Sequence, residues 1–369
     1  MKFTCTQENF NRGLLIASHI ANRNVTLPIL NNVLIKASSG LITLSTTNLE
    51  IGITAVIRGK VEQEGEFTVQ AKLIADYVNL LPKENIGFEL ANQTLKIECG
   101  NHKTAIKGTE AGDFPEIPEI EDGQEVILKV GDLKSSLSQV LFAVSIDESR
   151  PEISGVLFSF SGGILTMIGT DSYRLAEKKI SLVKGLNSPK QVIVPLRTLQ
   201  EAHRILSEAG DQQLTLVLND NQILFKLNDE VKLTSRLVEG QYPDYQQIIP
   251  ETSKTQAKVK AGELVRVIKS AALFCKPGIN DVNLKFFPDK SEIVVSSINS
   301  SVGENIASQQ SEISGDANEV VFNYRYLLDG LNNLPDNEVI LEIVSDSAPG
   351  ILRPEKGDDY LYIIMPIRQ

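Results

Sequence analysis

A long internal repeat constrains this chain more than any other feature: over 369 residues, one plan of helix, hairpin, helix and hairpin runs three times at a spacing near 126 residues. Leu73 and Leu80 in VQAKLIADYVNLL match Leu199 and Leu206 in VPLRTLQEAHRIL, then Leu327 and Leu334 in FNYRYLLDGLNNL, at steps of 126 and 128. The hairpin between the helices repeats as well, with Val33 and Leu41 lying 123 residues before Val156 and Ile164, and with a third copy in VNLKFFPDKSEIVVS around Ile293. A period this long implies tandem domains, because each unit is large enough to bury a core of its own. The fold class that follows is α+β, with two helices and antiparallel hairpins in each of three domains, bounded at 1–121, 122–250 and 251–369.

Helical spacing of apolar residues places first helices over 7–23, 131–144 and 262–274, where Phe10, Leu14 and Ala17, then Leu133, Leu137, Val140 and Leu141, then Leu264, Ile268, Ala271 and Ala272 share a face. Second helices fall over 72–83, 196–208 and 323–334. Two segments rich in proline and polar residues, 112–125 and 240–254, separate the domains, and their starts Gly112-Asp113-Phe114-Pro115 and Gly240-Gln241-Tyr242-Pro243 are related at an offset of 128. Proline after an aromatic residue keeps the chain extended as it leaves a domain. Sheets in units of this kind carry exposed edges, and joining them across domains and subunits into a closed ring removes that hazard.

The chain has no run of about 18 apolar residues to span a bilayer, and its start, MKFTCTQENF, lacks the apolar stretch of a signal peptide. A cytoplasmic protein without membrane contact is therefore expected. Cys5, Cys99 and Cys275 are scattered, so they suit buried apolar positions better than disulfides or zinc. A net charge of −11 argues against a nucleic-acid surface. The six helical segments nevertheless carry ten Lys or Arg against seven acids, +3, leaving −14 for the rest. That split fits either a mildly basic helical lining or ordinary solvated helix faces.

Chemistry is hard to find. His19, His102 and His203 have no metal-ligand spacing, no phosphate-binding glycine loop is present, and Ser181 with Lys184 lacks the companion motifs that would make the serine a nucleophile. No cofactor, metal or catalytic residue is assigned, and the chain is read as a non-enzyme. Two stretches mix polar and apolar residues in a way that suits a peptide groove: Thr170-Asp171-Ser172-Tyr173-Arg174-Leu175-Ala176 and the C-terminal Tyr362-Ile363-Ile364-Met365-Pro366-Ile367-Arg368-Gln369. The tail is also compatible with a final edge strand and a frayed end.

Those stretches, together with Arg23 and Thr26-Leu27-Pro28-Ile29-Leu30, Asp147-Glu148-Ser149-Arg150-Pro151, and Gly240-Gln241-Tyr242-Pro243-Asp244-Tyr245 with Ile249-Pro250, give five motifs in order. On them the chain resembles the bacterial sliding clamps, the beta subunits of DNA polymerase III, over its whole length. The resemblance implies a head-to-tail homodimer of three clamp domains per subunit, closed into a ring around double-stranded DNA, acting as a processivity factor without sequence specificity. It implies a cleft between the second and third domains for short motifs of the DNA polymerase III alpha subunit, the clamp loader delta subunit, other polymerases and repair proteins. By motif matching, that cleft comprises Ile153, Thr170, Ser172, Tyr173, Arg174, Leu175, Pro243, Ile248, Ile363, Met365, Pro366, Ile367 and Arg368. Arg23, Arg150, Arg197, Asn323 and Tyr326 match positions at or near the DNA path, while Asn24, Gln247 and Tyr173 depart from residues common in the family. The alternative is a protein-interaction scaffold of clamp-like domains that does not bind DNA.

Overall fold

The structure, a computed structural model, describes residues 1–21, 26–120, 122–276, 278–334 and 336–368. Six α-helices occur among them: α1 Gln7–Ala17, α2 Ala71–Asn79, α3 Val130–Val140, α4 Leu196–Ser207, α5 Ala261–Ala272 and α6 Tyr324–Asn333. Each follows a short strand and turns an apolar stripe inward. Phe10, Leu14 and Ala17 of α1, Leu133, Leu137 and Val140 of α3, and Leu264, Ile268 and Ala271 of α5 are all buried, as their spacing predicts. Leu141 and Ala272 stay half-buried at the helix ends. Helix ends are where expectation and structure part. α2 stops at Asn79 instead of 83, just before Pro82, whose nitrogen has no hydrogen to continue the ladder. α3 stops at Val140, and Leu141–Ala143 tightens into a 3₁₀ turn.

The repeat itself needs two corrections. Aligned on the starts of α2, α4 and α6, the equivalent residues are Ile74, Leu199 and Leu327, all buried. Leu73 is 48% exposed and Leu80 80%. Adjacent apolar pairs, Leu73-Ile74 and Leu80-Leu81, hide the register, and one residue of slip turns a helix by about 100°. The third hairpin slips for a different reason. The first two turn through left-handed Ser39-Gly40 and Gly162-Gly163, whereas the third uses a longer turn, Pro288–Lys290 with left-handed Ser291. Ile293 is therefore the buried second residue of its strand, while Leu41 and Ile164 are exposed first residues.

The chain folds as two compact units, Met1–Val130 with Arg204–Leu237, and Gly131–His203 with Val238–Gln369. The first unit carries one continuous 13-stranded order. Strand Ile51–Arg58 pairs there with strand Val231–Arg236, Ile53 opposite Leu233. The second unit carries a nine-stranded and a four-stranded sheet, and strand Arg174–Ser181 pairs with strand Tyr360–Ile364, Leu175 opposite Ile363. Sequence-distant edges are thus paired by the same rule twice. Strand Tyr360–Ile364 also pairs with Gly350–Pro354 on its other side, so it is an interior strand and not the frayed edge that composition allowed.

Candidate functional site: a peptide cleft

The cleft starts from a five-residue turn. Asp171 has a side chain short enough to reach back to its own backbone, and its Oδ1 accepts the amides of Tyr173 and Arg174 at 2.9 and 3.0 Å. Thr170 closes the other side: its Oγ1 donates to the Arg174 carbonyl at 2.7 Å and accepts the Ser172 amide at 3.1 Å. These bonds hold Ser172 at φ +77°, in the left-handed region. Arg174, projected from the end of the turn, donates to Asp171 Oδ2 at 2.9 Å and to Asp329, and its guanidinium lies 4.6 Å from the Tyr326 ring centre and 5.7 Å from that of Phe142. Tyr326 in turn stacks on Tyr173 at 6.4 Å. Planar, delocalised arginine suits such a sandwich between carboxylates and rings.

Beside this cluster lies a depression of about 190 Å³, lined by Ile153, Thr170, Ser172, Arg174, Leu175, Pro243, Ile248, Ile363 and Met365, and by Arg150, Asp244 and Tyr245. Its floor belongs to a buried apolar cluster of Leu157, Ile168, Leu175, Ile193, Tyr242, Ile351, Leu361 and Ile363. Tyr242 anchors the following segment by donating to the Ile168 carbonyl at 3.1 Å, and Tyr245 donates to Glu177 Oε2 at 2.7 Å. Burial, then the bond to Glu177, raises the Tyr245 pKa well above that of free tyrosine, so the hydroxyl stays a donor. Met365 is fixed by its amide, which donates to the Tyr173 carbonyl at 2.8 Å, and Ile367 by its amide to Val321 at 2.8 Å. The result is an apolar slot with a polar mouth, suited to an extended peptide with one or two apolar side chains.

Nine of the thirteen residues matched to a cleft line this depression. Ile367 and Arg368 line instead a separate, larger depression of about 910 Å³ with Lys254, Phe286 and Asp346. Tyr173 is an exposed side chain stacked beside the mouth, and Pro366 lies between the two depressions in sequence and is half-buried. Four of the five residues matched to the DNA path are among the described residues. Arg150 lines the cleft. Tyr326 packs under Arg174, and Asn323 caps α6 by accepting the Arg325 amide at 3.0 Å. Arg197 is exposed on α4, and Arg23 lies outside the described residues. Arg204, one of the ten helical cations, spends its guanidinium on the Leu15 and Ile16 carbonyls at 2.9 and 2.8 Å. Among the described residues no cluster of side chains could hold a metal, and no helix is long and apolar enough to cross a membrane.

A second copy of the turn sits in the first unit. Asn48 Oδ1 accepts the Glu50 and Ile51 amides at 3.0 and 2.7 Å, Thr47 Oγ1 donates to the Ile51 carbonyl at 3.0 Å and accepts the Leu49 amide at 3.0 Å, and Leu49 has φ +77°. The Arg236 amide donates to the Glu50 carbonyl at 3.1 Å, as Met365 does to Tyr173. Around the shared threonine the side chains differ: Leu27, Leu49 and Gly52 stand where Arg150, Ser172 and Leu175 stand in the cleft. A Cβ on Gly52 would meet Ile117 at 2.6 Å, so a side chain of the chain itself fills that space.

Three family signatures cover nearly the whole chain: DNA polymerase III beta subunit N-terminal domain over residues 1–118, central domain over 127–244 and C-terminal domain over 246–368. The chain belongs to the DNA polymerase III beta subunit family. A beta sliding clamp of Synechocystis is 30% identical over 391 residues, spanning 100% of this chain and 99% of that protein. The beta sliding clamp of Bacillus subtilis is 28% identical over 378 residues, with 100% of both chains covered. Among solved structures, the DNA polymerase sliding clamp of Bacillus subtilis superposes with a TM-score of 0.95 at 28% identity, over 100% of this chain and 99% of that one. A sliding clamp from Pseudomonas aeruginosa bound to griselimycin superposes with a TM-score of 0.96 at 25% identity, over 100% of each chain. The threefold repeat is therefore three clamp domains of this family. Asp244 and Tyr245, which motif matching did not name, line the depression, and so does Arg150, which it matched to the DNA path. The run Pro243-Asp244-Tyr245 carried a signal, since an aromatic after a proline turn seeks a core.

Proposed function

We propose that this chain is a sliding clamp that encircles duplex DNA and tethers the replicative polymerase through the cleft below Arg174. The observation that carries the reading is the full-length family match joined to a preformed apolar slot in the second unit. A clamp acts by tethering, so no catalytic step is assigned to it. Its partners are double-stranded DNA, held topologically, and short motifs of the polymerase III alpha subunit, the clamp loader delta subunit, other polymerases and repair proteins. It works in the cytoplasm, where the replicated DNA lies. Domain limits of 1–121, 122–250 and 251–369 suit the strands that open each copy, at Lys2, Gln124 and Thr255.

The edge rule supports ring closure by a homodimer. Inside the chain, the third hairpin strand of one domain twice meets the closing strand of the next, Ile51–Arg58 with Val231–Arg236 and Arg174–Ser181 with Tyr360–Ile364. Applied once more, the rule pairs strand Gly303–Gln310 with the 102–107 stretch of strand His102–Thr109 in a second copy, since within the chain only Gly108 and Thr109 of that strand meet strand Gly65–Gln70 on that side. Exposed Ile306 and Leu273 supply apolar contact, and Glu304 faces a strand bearing Lys103 and Lys107. Exposed Lys72, Arg197, Arg266 and Lys269 on the helices give weak, salt-screened phosphate contacts that allow sliding. The test loads the protein with a bacterial clamp loader and ATP onto nicked circular DNA and then linearises it. Loss on cutting supports encirclement. Equal retention would mean surface binding, and no retention beside intact peptide binding would favour a scaffold.

A further inference from the structure

Two strand pairs join sequence-distant segments, and they pass α1 and α3 in the same way. Val231 stands opposite Ala55 in the first unit, as Tyr360 stands opposite Lys178 in the second. The flanking bonds share this register: the Val56 amide donates to the Glu230 carbonyl at 2.7 Å, and the Lys179 amide to the Asp359 carbonyl at 2.8 Å. Counted from the helix starts, Gly13 and Ile16 of α1 correspond to Ser136 and Gln139 of α3. In the second unit the Tyr360 ring is buried, and its hydroxyl donates to the Gln139 carbonyl at 3.1 Å.

The first unit carries no ring at that place. Gly13, Ala55 and Val231 are each smaller than their counterparts Ser136, Lys178 and Tyr360, and the Ile16 carbonyl accepts Arg204 instead, at 2.8 Å. Between these residues lies a slot of about 120 Å³. An apolar cavity of about 150 Å³ accepts benzene, so this slot, open at its rim, is sized for one aromatic ring. Its walls are apolar, with Ile16 and Val231 buried and Ile57 half-buried. Its rim is charged. Exposed Arg12 and Arg58 line it, Glu230 lies 4.0 Å from Arg12, and two positive charges against one negative leave +1 there. Two guanidiniums carry donors enough to fork onto a carboxylate.

We propose that this slot binds a small aromatic acid, an aryl carboxylate whose ring takes the place that Tyr360 fills in the second unit and whose carboxylate meets Arg12 and Arg58. The site lies in the first unit, apart from the peptide cleft, and needs neither DNA nor a partner protein. A ring seated there touches α1 and strand Val231–Arg236 together, adding a tie beside the Arg204 bonds. Benzoate is the probe, titrated into the full-length protein carrying carbon-13 at its isoleucine and valine methyl groups, with acetate and benzamide as controls. Saturable shifts are expected at Ile16, Ile57 and Val231, and benzoate should bind about tenfold tighter than acetate through burial of its ring. Its advantage over benzamide should be about three-fold in 50 mM salt and shrink in 500 mM salt, as suits an exposed charge contact. Arg58→Gln reduces that advantage and keeps the preference over acetate. Val231→Tyr fills the slot with a phenol of the chain's own and abolishes the shifts at Ile16 and Ile57; Val231→Leu, a milder filling that guards against misfolding of the first variant, weakens benzoate binding. Shifts that fail to saturate, or benzoate binding unchanged in folded Val231→Tyr and Val231→Leu, would overturn the site. Acetate binding as well as benzoate would overturn the aromatic ligand, and benzamide binding as well as benzoate would overturn the acidic one.

Discussion

At the scale of single residues, the cleft separates side chains that shape it from side chains that a ligand can reach. Leu175 is 1% exposed, and its neighbour across the ladder, Ile363, is as deeply buried. Leu175→Ala is thus a core truncation, expected to cost about 3 kcal/mol in denaturant titrations, and peptide loss in that variant says little about contact. Met365 is half-buried at the wall. Met365→Ala should cost under about 1 kcal/mol of stability yet lower peptide affinity roughly tenfold in a fluorescence titration; a smaller change would remove it from the contact surface. Arg174→Lys keeps the charge and loses the fork and the stacking. It is expected to cost about 2 kcal/mol, allowing for the half-exposed Asp329 end of its network, and to weaken peptide binding by loosening the wall that its side chain forms.

Helices and strands carry their own tests. Asn323 caps α6 through the Arg325 amide, so Asn323→Ala should cost about 1 kcal/mol without any DNA present, whereas Asn323→Asp should keep the cap. Weaker DNA retention in the stable Asp variant would separate a phosphate contact from the cap, and unchanged retention would leave the cap as its whole role. On α4, His203 Nε2 lies 2.9 Å from Ser138 Oγ on α3. Burial, then Lys134, lowers the His203 pKa, so the folded state favours the neutral ring. As pH falls below about 6.5 the unfolded chain takes up the proton first. The contribution is complete above that pH and is lost through the folded-state value, so wild type should lose more stability than His203→Gln between pH 7.5 and 5.5. Parallel slopes would refute it. Element type and order were legible in the sequence because apolar spacing is a local property. The register of α2 was not, since Leu73 and Ile74 are chemically alike and only the packed sheet distinguishes them. Nothing local reveals that Arg174, 152 positions from Tyr326, will lie on the tyrosine ring.

For the whole molecule, the proposed dimer rests on two strands and a few exposed apolar side chains. Ile306→Glu puts a carboxylate where the proposed dimer needs an apolar contact. It should yield monomers at micromolar concentration by sedimentation, with cleft-peptide affinity unchanged and topological retention abolished. Persistent dimers would place the interface elsewhere. The twin turns at Thr47–Ile51 and Thr170–Arg174 have a longer-range consequence. Their shape depends on a threonine and an Asn or Asp at fixed places, so the positions between and around them are released from structural selection. After duplication, one junction could close over its own isoleucine while the other stayed open and varied its rim. One backbone shape thus presents two different rims within a single chain.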